Sequence, residues 1–297
     1  MNESPDIIAA QHSTFKDYVA LAKPRLATSV VFSAGAGYLI GTPAFDLWMF
    51  TLLLIGGFLV VASSNAFNQV IERSQDALMD RTKDRPVPAG RLTPFRALIA
   101  ATAMGLVGLA LLYYINPRSA GFGALSLFIY TAVYTPLKGV TPLAVFIGAI
   151  PGAIPFMLGW VAANNDFDIE AGTLFAIQFF WQFPHFWAIA WILDEDYKKA
   201  GYNLLPTGKR DNGSAIQAVF YTVWTLIISL IPATGLTGTL ELSIAGGIAV
   251  AVAGFLFLWK SWNLFKEQTV SSAKKLMFAS IIYMPLVQVI YVIDAFV

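Results

Sequence analysis

The sequence contains no cysteine, and charged residues make up only 12% of it. The first absence excludes disulfides, thiolate metal sites, haem attachment through Cys-x-x-Cys-His and thiol nucleophiles. The second is as restrictive, because a soluble domain carries roughly 25% charged residues. Histidine is scarce as well: His12 and His185 are the only two, so a multi-histidine metal centre is ruled out. The first 25 residues lack the basic start and apolar run of a signal peptide. They include Glu3, Asp6 and Asp17, unlike an acid-poor organellar presequence. No nucleic-acid partner is expected.

What the chain has is apolar bulk. Hydrophobic residues account for 57% of its 297 positions, among them 23 Phe, 11 Tyr and 8 Trp. Mean hydropathy is +0.65. So much apolar area needs an apolar solvent around it as well as a core inside it, which predicts an integral membrane protein surrounded by lipid. Runs of about 20 apolar residues fall at about 26–42, 47–67, 95–115, 119–136, 141–163, 172–193, 215–233, 242–262 and 277–296. They are continuous and show no period-2 alternation, which predicts helices and excludes barrel strands. The expected fold is all-α. A polar N-terminal segment, 1–25, precedes a single domain of nine transmembrane helices over 26–297.

Two connections, 68–94 and 194–214, are long and charge-dense. With nine spans they follow the second and the sixth, and so emerge on one side. Alternating the loops places every Lys and Arg on that side except Arg118. By the positive-inside rule this face, with the N-terminus and both polar loops, is cytoplasmic.

The first polar loop holds Asn68, Glu72, Asp76 and Asp80, each four residues after the last. A step of four drifts about 40° around a helix, so an extended second helix would carry an oxygen-ligand stripe. Like charges at that spacing repel, and a divalent cation relieves the repulsion. Oxygen donors without His or Cys favour Mg²⁺. The same residues also read as a solvated helix end balanced by Arg73, Arg81 and Arg85. A second cluster shifts the balance. Trp181-Gln182-Phe183-Pro184-His185-Phe186 closes the sixth span, and Asp194-Glu195-Asp196-Tyr197-Lys198-Lys199 opens the other long loop. Carboxylates that hold a metal, a metal that holds a diphosphate, and Arg and Lys on the remaining oxygens form a site for a lipid diphosphate.

The N-x-x-x-E-x-x-x-D run of Asn68, Glu72 and Asp76 resembles the first motif of the UbiA superfamily of intramembrane prenyltransferases. So do Leu21-Ala22-Lys23-Pro24-Arg25, Asp76 to Pro86, Tyr134 to Pro142, and Gly148 to Pro155 with Gly159-Trp160. The stretch from Trp181 through Phe186 to Asp196-Tyr197 and Ala200-Gly201 is most similar to the branch that farnesylates haem. The likeness runs from about Tyr18 to the C-terminus. The chain departs from the pattern at Glu72, longer by a methylene than the usual aspartate, at Ser74, and at Ile192, which stands where the second motif begins with an acid.

The resemblance implies a bundle with a central cavity opening to the cytoplasmic face of a bacterial inner membrane. It also implies transfer of a farnesyl group from farnesyl diphosphate to a vinyl group of haem B, with addition of water and Mg²⁺ as cofactor. Asn68, Glu72, Asp76, Asp196 and His185 become the expected catalytic residues, with Asp80 and Asp194 as further metal ligands. Lys23, Arg25, Arg81, Arg85, Lys138 and Lys198 are expected to contact diphosphate. Tyr130, Tyr134, Trp181, Gln182, His185 and Phe186 are expected to line the haem and prenyl pocket. A contact between His185 and haem, including axial ligation of iron, stands beside a plain interhelical hydrogen bond. Handover to haem A synthase or a terminal oxidase assembly is implied by the family alone. The alternatives are a relative acting on a quinone precursor or other aromatic acceptor, and a membrane transporter or haem carrier.

Overall fold

Each apolar run lies on a helix in the computed structural model, which describes residues 13–42 and 44–297. A short helix, α1 (Phe15–Ala22), leads into α2 (Pro24–Gly41) through Lys23, whose φ of +50° turns the chain sharply. Then come α3 (Leu47–Ile71), the single turn α4 (Arg73–Asp76), α5 (Pro94–Ile115) and α6 (Pro117–Phe128). A π-helical stretch, Ile129–Tyr134, joins α6 to α7 (Thr135–Leu137). The rest is α8 (Ala144–Asn164), α9 (Ile169–Lys199), α10 (Asn212–Leu230), α11 (Ile244–Glu267) and α12 (Val270–Asp294).

The starts are set by short polar caps. Asp46 accepts from the backbone of Trp48 and Met49 ahead of α3, Thr93 caps α5 before Pro94, and Asp168 caps α9. Seven segments are long and apolar enough to cross a membrane: α3, α5, α6 to α7, α8, α10 with the turn after it, α11 and α12. Their outward side chains confirm the solvent. Leu106, Ile248, Phe255 and Leu256 are all more than half exposed, an arrangement stable only against lipid. The protein is an integral membrane protein. Two helices are less apolar. α2 opens on Pro24-Arg25 and carries Ser33 and three glycines, while α9 carries Gln178, Gln182 and His185.

Neighbours in sequence pack as neighbours in space, and α12 returns to α2 and α9, closing the bundle. Small residues allow the tightest crossings: a Cβ at Gly37 or Gly159 would strike the facing backbone where α2 meets α8. Pro155 leaves the Pro151 carbonyl without its helical partner, and Ser126 Oγ donates to it at 3.4 Å. At 31 residues α9 is the longest helix. About 1.5 Å per residue makes it longer than a hydrocarbon core of about 30 Å, and its last turns carry the charged residues 194–199. Residues 194–199, expected as loop, are therefore helix. An apolar cleft of about 240 Å³ lies between α2, α3 and α12, lined by Phe32, Leu39, Phe50, Gln288 and Ile293. It is at the helix ends away from Lys23 and Asn68 and touches none of the expected pocket residues.

Candidate active site

The acidic stripe is broken after its third member. α3 stops at Ile71, Glu72 has φ −91° and ψ 14°, and one further turn ends at Asp76. Asn68, Glu72 and Asp76 are 3%, 5% and 1% exposed, too buried to remain charged without partners. Lys138, delivered by the turn after α7, reaches Glu72: its Nζ lies 2.7 Å from Oε1 and donates to Oε2 at 2.8 Å. Asn68 donates to Glu72 Oε2 at 2.7 Å and to Thr135 Oγ1 at 3.3 Å. Arg85 donates to Asp76 at 2.7 Å.

Asp80 leaves the stripe, contrary to the continuous helix that the spacing predicts. It is exposed and ion-paired with Lys83 at 2.9 Å and with Lys199. These two cations, through their hydrogen bonds, hold its carboxyl down at about 2. The cause is visible in α9. Asp196 accepts from the backbone N–H of Asp80 at 2.8 Å and of Arg81 at 3.3 Å, so it binds the turn that a longer helix would have consumed. The two charged stretches thus meet on one side of the molecule, 116 positions apart in sequence. Asp194 is occupied by Lys198 at 2.7 Å and Arg210 at 3.7 Å. Arg210 was not expected; it also donates to the Trp191 carbonyl and pairs with Glu195. Replacing Asp196 by Ala is expected to loosen residues 77–93. Limited proteolysis should cut that segment faster, where a loss confined to metal binding would leave the digestion rate unchanged.

Cations converge on the buried acids. Lys23 is half-buried at the start of α2. Burial, reinforced by the charges of Arg85 and Lys138, pulls it down to about 7 against the attraction of Asp76. A depressed lysine among other cations is a site short of negative charge. Arg81 is exposed, with its guanidinium 6.0 Å from the Tyr197 ring centroid. Arg25 is exposed and Lys198 is committed to Asp194.

Tyr130 and Tyr134 lie on the π-helical stretch with ring centroids 5.2 Å apart, and Lys138 Nζ is 4.8 Å above Tyr134. Tyr202, another residue that spacing did not single out, faces Lys138 at 5.8 Å. Gln182 is buried and donates to the Ala149 carbonyl at 2.9 Å, in the space left by Gly152. Trp181 and His185 both reach Ser280 of α12, and Phe186 packs beside His185. His12 lies outside the described residues.

The donor set suits a hard cation. Asn68, Glu72 and Asp76 offer oxygen donors, and buried Glu72 Oε1 faces the Lys138 ammonium at 2.7 Å. Among the described residues no three His, Cys, Asp or Glu side chains are grouped to hold a metal by themselves. Mg²⁺ takes oxygen ligands and keeps waters and substrate phosphate in its shell; Asp80 and Asp194, expected as further ligands, are instead ion-paired with lysines.

This helical membrane bundle, with its acid–base cluster at one end, is matched over residues 30–282 by the model of the UbiA prenyltransferase family. The chain belongs to that family. It is 57% identical to a protoheme IX farnesyltransferase of Christiangramia forsetii over 285 residues, 96% of this chain and 95% of that one. Among solved structures it is similar to a digeranylgeranylglyceryl phosphate synthase, with a TM-score of 0.78 at 22% identity over 94% of this chain and 98% of that one. It is also similar to a UbiA homolog from Archaeoglobus fulgidus bound to GPP and Mg²⁺. There the TM-score is 0.71 at 16% identity, covering 93% and 99% of the two chains.

Proposed function

We propose that the protein transfers the farnesyl group of farnesyl diphosphate to a vinyl group of haem B, with addition of water, giving haem O and diphosphate. The observation that carries this reading is the meeting of Lys23, Arg85 and Lys138 around buried Asp76 and Glu72, in a chain so close to a protoheme IX farnesyltransferase. In this reading 26–297 is one transmembrane domain in which α2 and α9 also cross, making nine spans. Lys23, Asp76 and Asp196 then face a central cavity on the cytoplasmic side of a bacterial inner membrane. Haem O passes from there toward haem A synthase or a terminal oxidase assembly.

Diphosphate is a poor leaving group, so the site has to stabilise charge that grows on it as the C1–O bond lengthens. Asn68, Glu72 and Asp76 would hold Mg²⁺, which supplies Lewis-acid neutralisation of that charge. Lys23, Arg81, Arg85 and Lys138 take the remaining phosphate oxygens, and Asp194 and Asp196 keep the second charged segment in place beside them. The faces of Tyr130 and Tyr134 stabilise the allylic cation and keep water from it. C1 bonds to the terminal vinyl carbon. The cation left next to the porphyrin takes hydroxide from water, whose proton departs. Trp181, Gln182, His185 and Phe186 form the haem side.

The test is mass spectrometry of haem extracted after incubation with farnesyl diphosphate and Mg²⁺. A product heavier by one farnesyl group and one hydroxyl group supports the reading, whereas prenylation of a phenolic acceptor alone overturns it. A carrier would release no diphosphate at all.

Lys23 sets a pH dependence. Its depressed pKa means that the unfolded chain binds more protons between about 7 and 10.5, so this group makes stability rise with pH across that window. Binding of the anionic substrate runs the other way, because it needs the protonated ammonium. The KM for farnesyl diphosphate is expected to rise above about pH 7. In Lys23→Met it should be higher and flatter over the same range.

A further inference from the structure

Trp181 and His185 occupy successive turns of α9, and both are tied to Ser280 of α12. The Trp181 indole N–H donates to the Ser280 carbonyl at 2.8 Å, and His185 Nδ1 lies 2.8 Å from the Ser280 hydroxyl. Indole and imidazole stack, with centroids 4.9 Å apart and planes 15° from parallel. Ser280 is fully buried, so no water competes for its hydroxyl.

The direction of the bond between His185 and Ser280 follows from a third group. Ser280 Oγ is also 2.6 Å from the Met277 carbonyl oxygen. Two oxygens at that separation repel unless a proton lies between them, and a carbonyl has none to give. The single hydroxyl proton is therefore committed to Met277. Toward the imidazole Oγ can only accept, so Nδ1 carries the hydrogen. In the neutral ring Nε2 then keeps its lone pair. Nε2 makes no hydrogen bond to any described residue, and it is not among the atoms sealed from accessible space. A ring whose tautomer is fixed through one nitrogen and whose other nitrogen is free has the form of a metal ligand awaiting its metal.

We propose that Ser280 is a positioning residue: it locks His185 in the Nδ1–H tautomer and presents the Nε2 lone pair to the iron of the haem acceptor. The tautomer stands on geometry alone, while the identity of the electron-pair acceptor rests on the function proposed above. Stacking on Trp181, itself held by the same serine, fixes the plane of the ring, so the lone pair has one direction. Iron held there would set which edge of the porphyrin, and hence which vinyl group, meets the farnesyl C1.

Because the chain has two histidines, ¹⁵N NMR of protein labelled at histidine and carrying His12→Gln reads His185 directly. Without haem, Nε2 is expected to give a signal of the unprotonated type and Nδ1 one of the protonated type. Ser280→Ala should replace this with a mixture of tautomers or with the Nε2–H form, and Ser280→Thr should restore it. An Nε2–H ring in the unsubstituted protein, or an unchanged ring in Ser280→Ala, overturns the lock. Titration with ferric haem, followed in the Soret band, should show affinity falling about 10- to 100-fold in His185→Ala and Ser280→Ala, but not in Ser280→Thr. Equal affinity and an identical spectrum in all four proteins overturn ligation of iron. Failure of the transferase reading is separate: it shows as absence of farnesylated haem from the unsubstituted protein, whatever the ring's tautomer.

Discussion

Asp76→Asn is expected to reduce farnesyl transfer by roughly 10²- to 10³-fold while the protein still folds in the membrane. Among the described residues Asp76 is the most buried of the acids, at 1% exposure, and the only one paired with Arg85. As a carboxylate it adds a full negative charge to a region otherwise dominated by cations, which is what a divalent ion needs. Asparagine keeps the shape and an acceptor for Arg85, whose side chain is partly open to solvent, so the unpaired guanidinium can be hydrated. The effect should therefore fall on kcat and on the Mg²⁺ requirement, with little change in thermal unfolding. Normal turnover in Asp76→Asn would remove this residue from the metal site.

Lys138→Met should have the largest effect on stability. Glu72 is buried and Lys138 largely so, with side chains 6% and 11% exposed, and removing one partner of such a pair costs about 3–5 kcal/mol when it strands the other charge in the interior. Unfolding of the single variant is expected at markedly lower temperature. The double variant Lys138→Met with Glu72→Gln should recover most of that loss, since neither partner is then charged. Activity should stay low in both, because the double variant lacks a phosphate contact as well as a metal ligand. Recovery of activity along with stability would make the pair purely structural.

Much of this arrangement is legible in the chain because it is local. Four-residue spacing puts Asn68, Glu72 and Asp76 along one side of consecutive turns, and hydropathy alone finds the helices that carry the bundle. The continuation to Asp80 fails for a reason that spacing cannot express: Asp196 competes for the backbone amides of Asp80 and Arg81, and a tertiary hydrogen bond replaces a helical one. The charges at 194–199 read as loop because charge marks the edge of an apolar run, whereas a helix can simply continue past the lipid. Arg210 and Tyr202 gain their meaning from three-dimensional neighbours. Ser280 is an ordinary small residue in an apolar helix. Only the fold brings it to His185, 95 positions away.

The account depends on a magnesium diphosphate held at the cluster where Lys23, Asp76 and Lys138 meet. Equilibrium binding of inorganic pyrophosphate to the purified protein, with Mg²⁺ and then with chelator, tests that most directly when run beside Asp76→Asn and Lys138→Met. The prediction is binding that needs Mg²⁺ in the unsubstituted protein, loses that need in Asp76→Asn, and weakens at every Mg²⁺ concentration in Lys138→Met. Pyrophosphate binding that is equally tight with chelator, or the same in all three proteins, would contradict it.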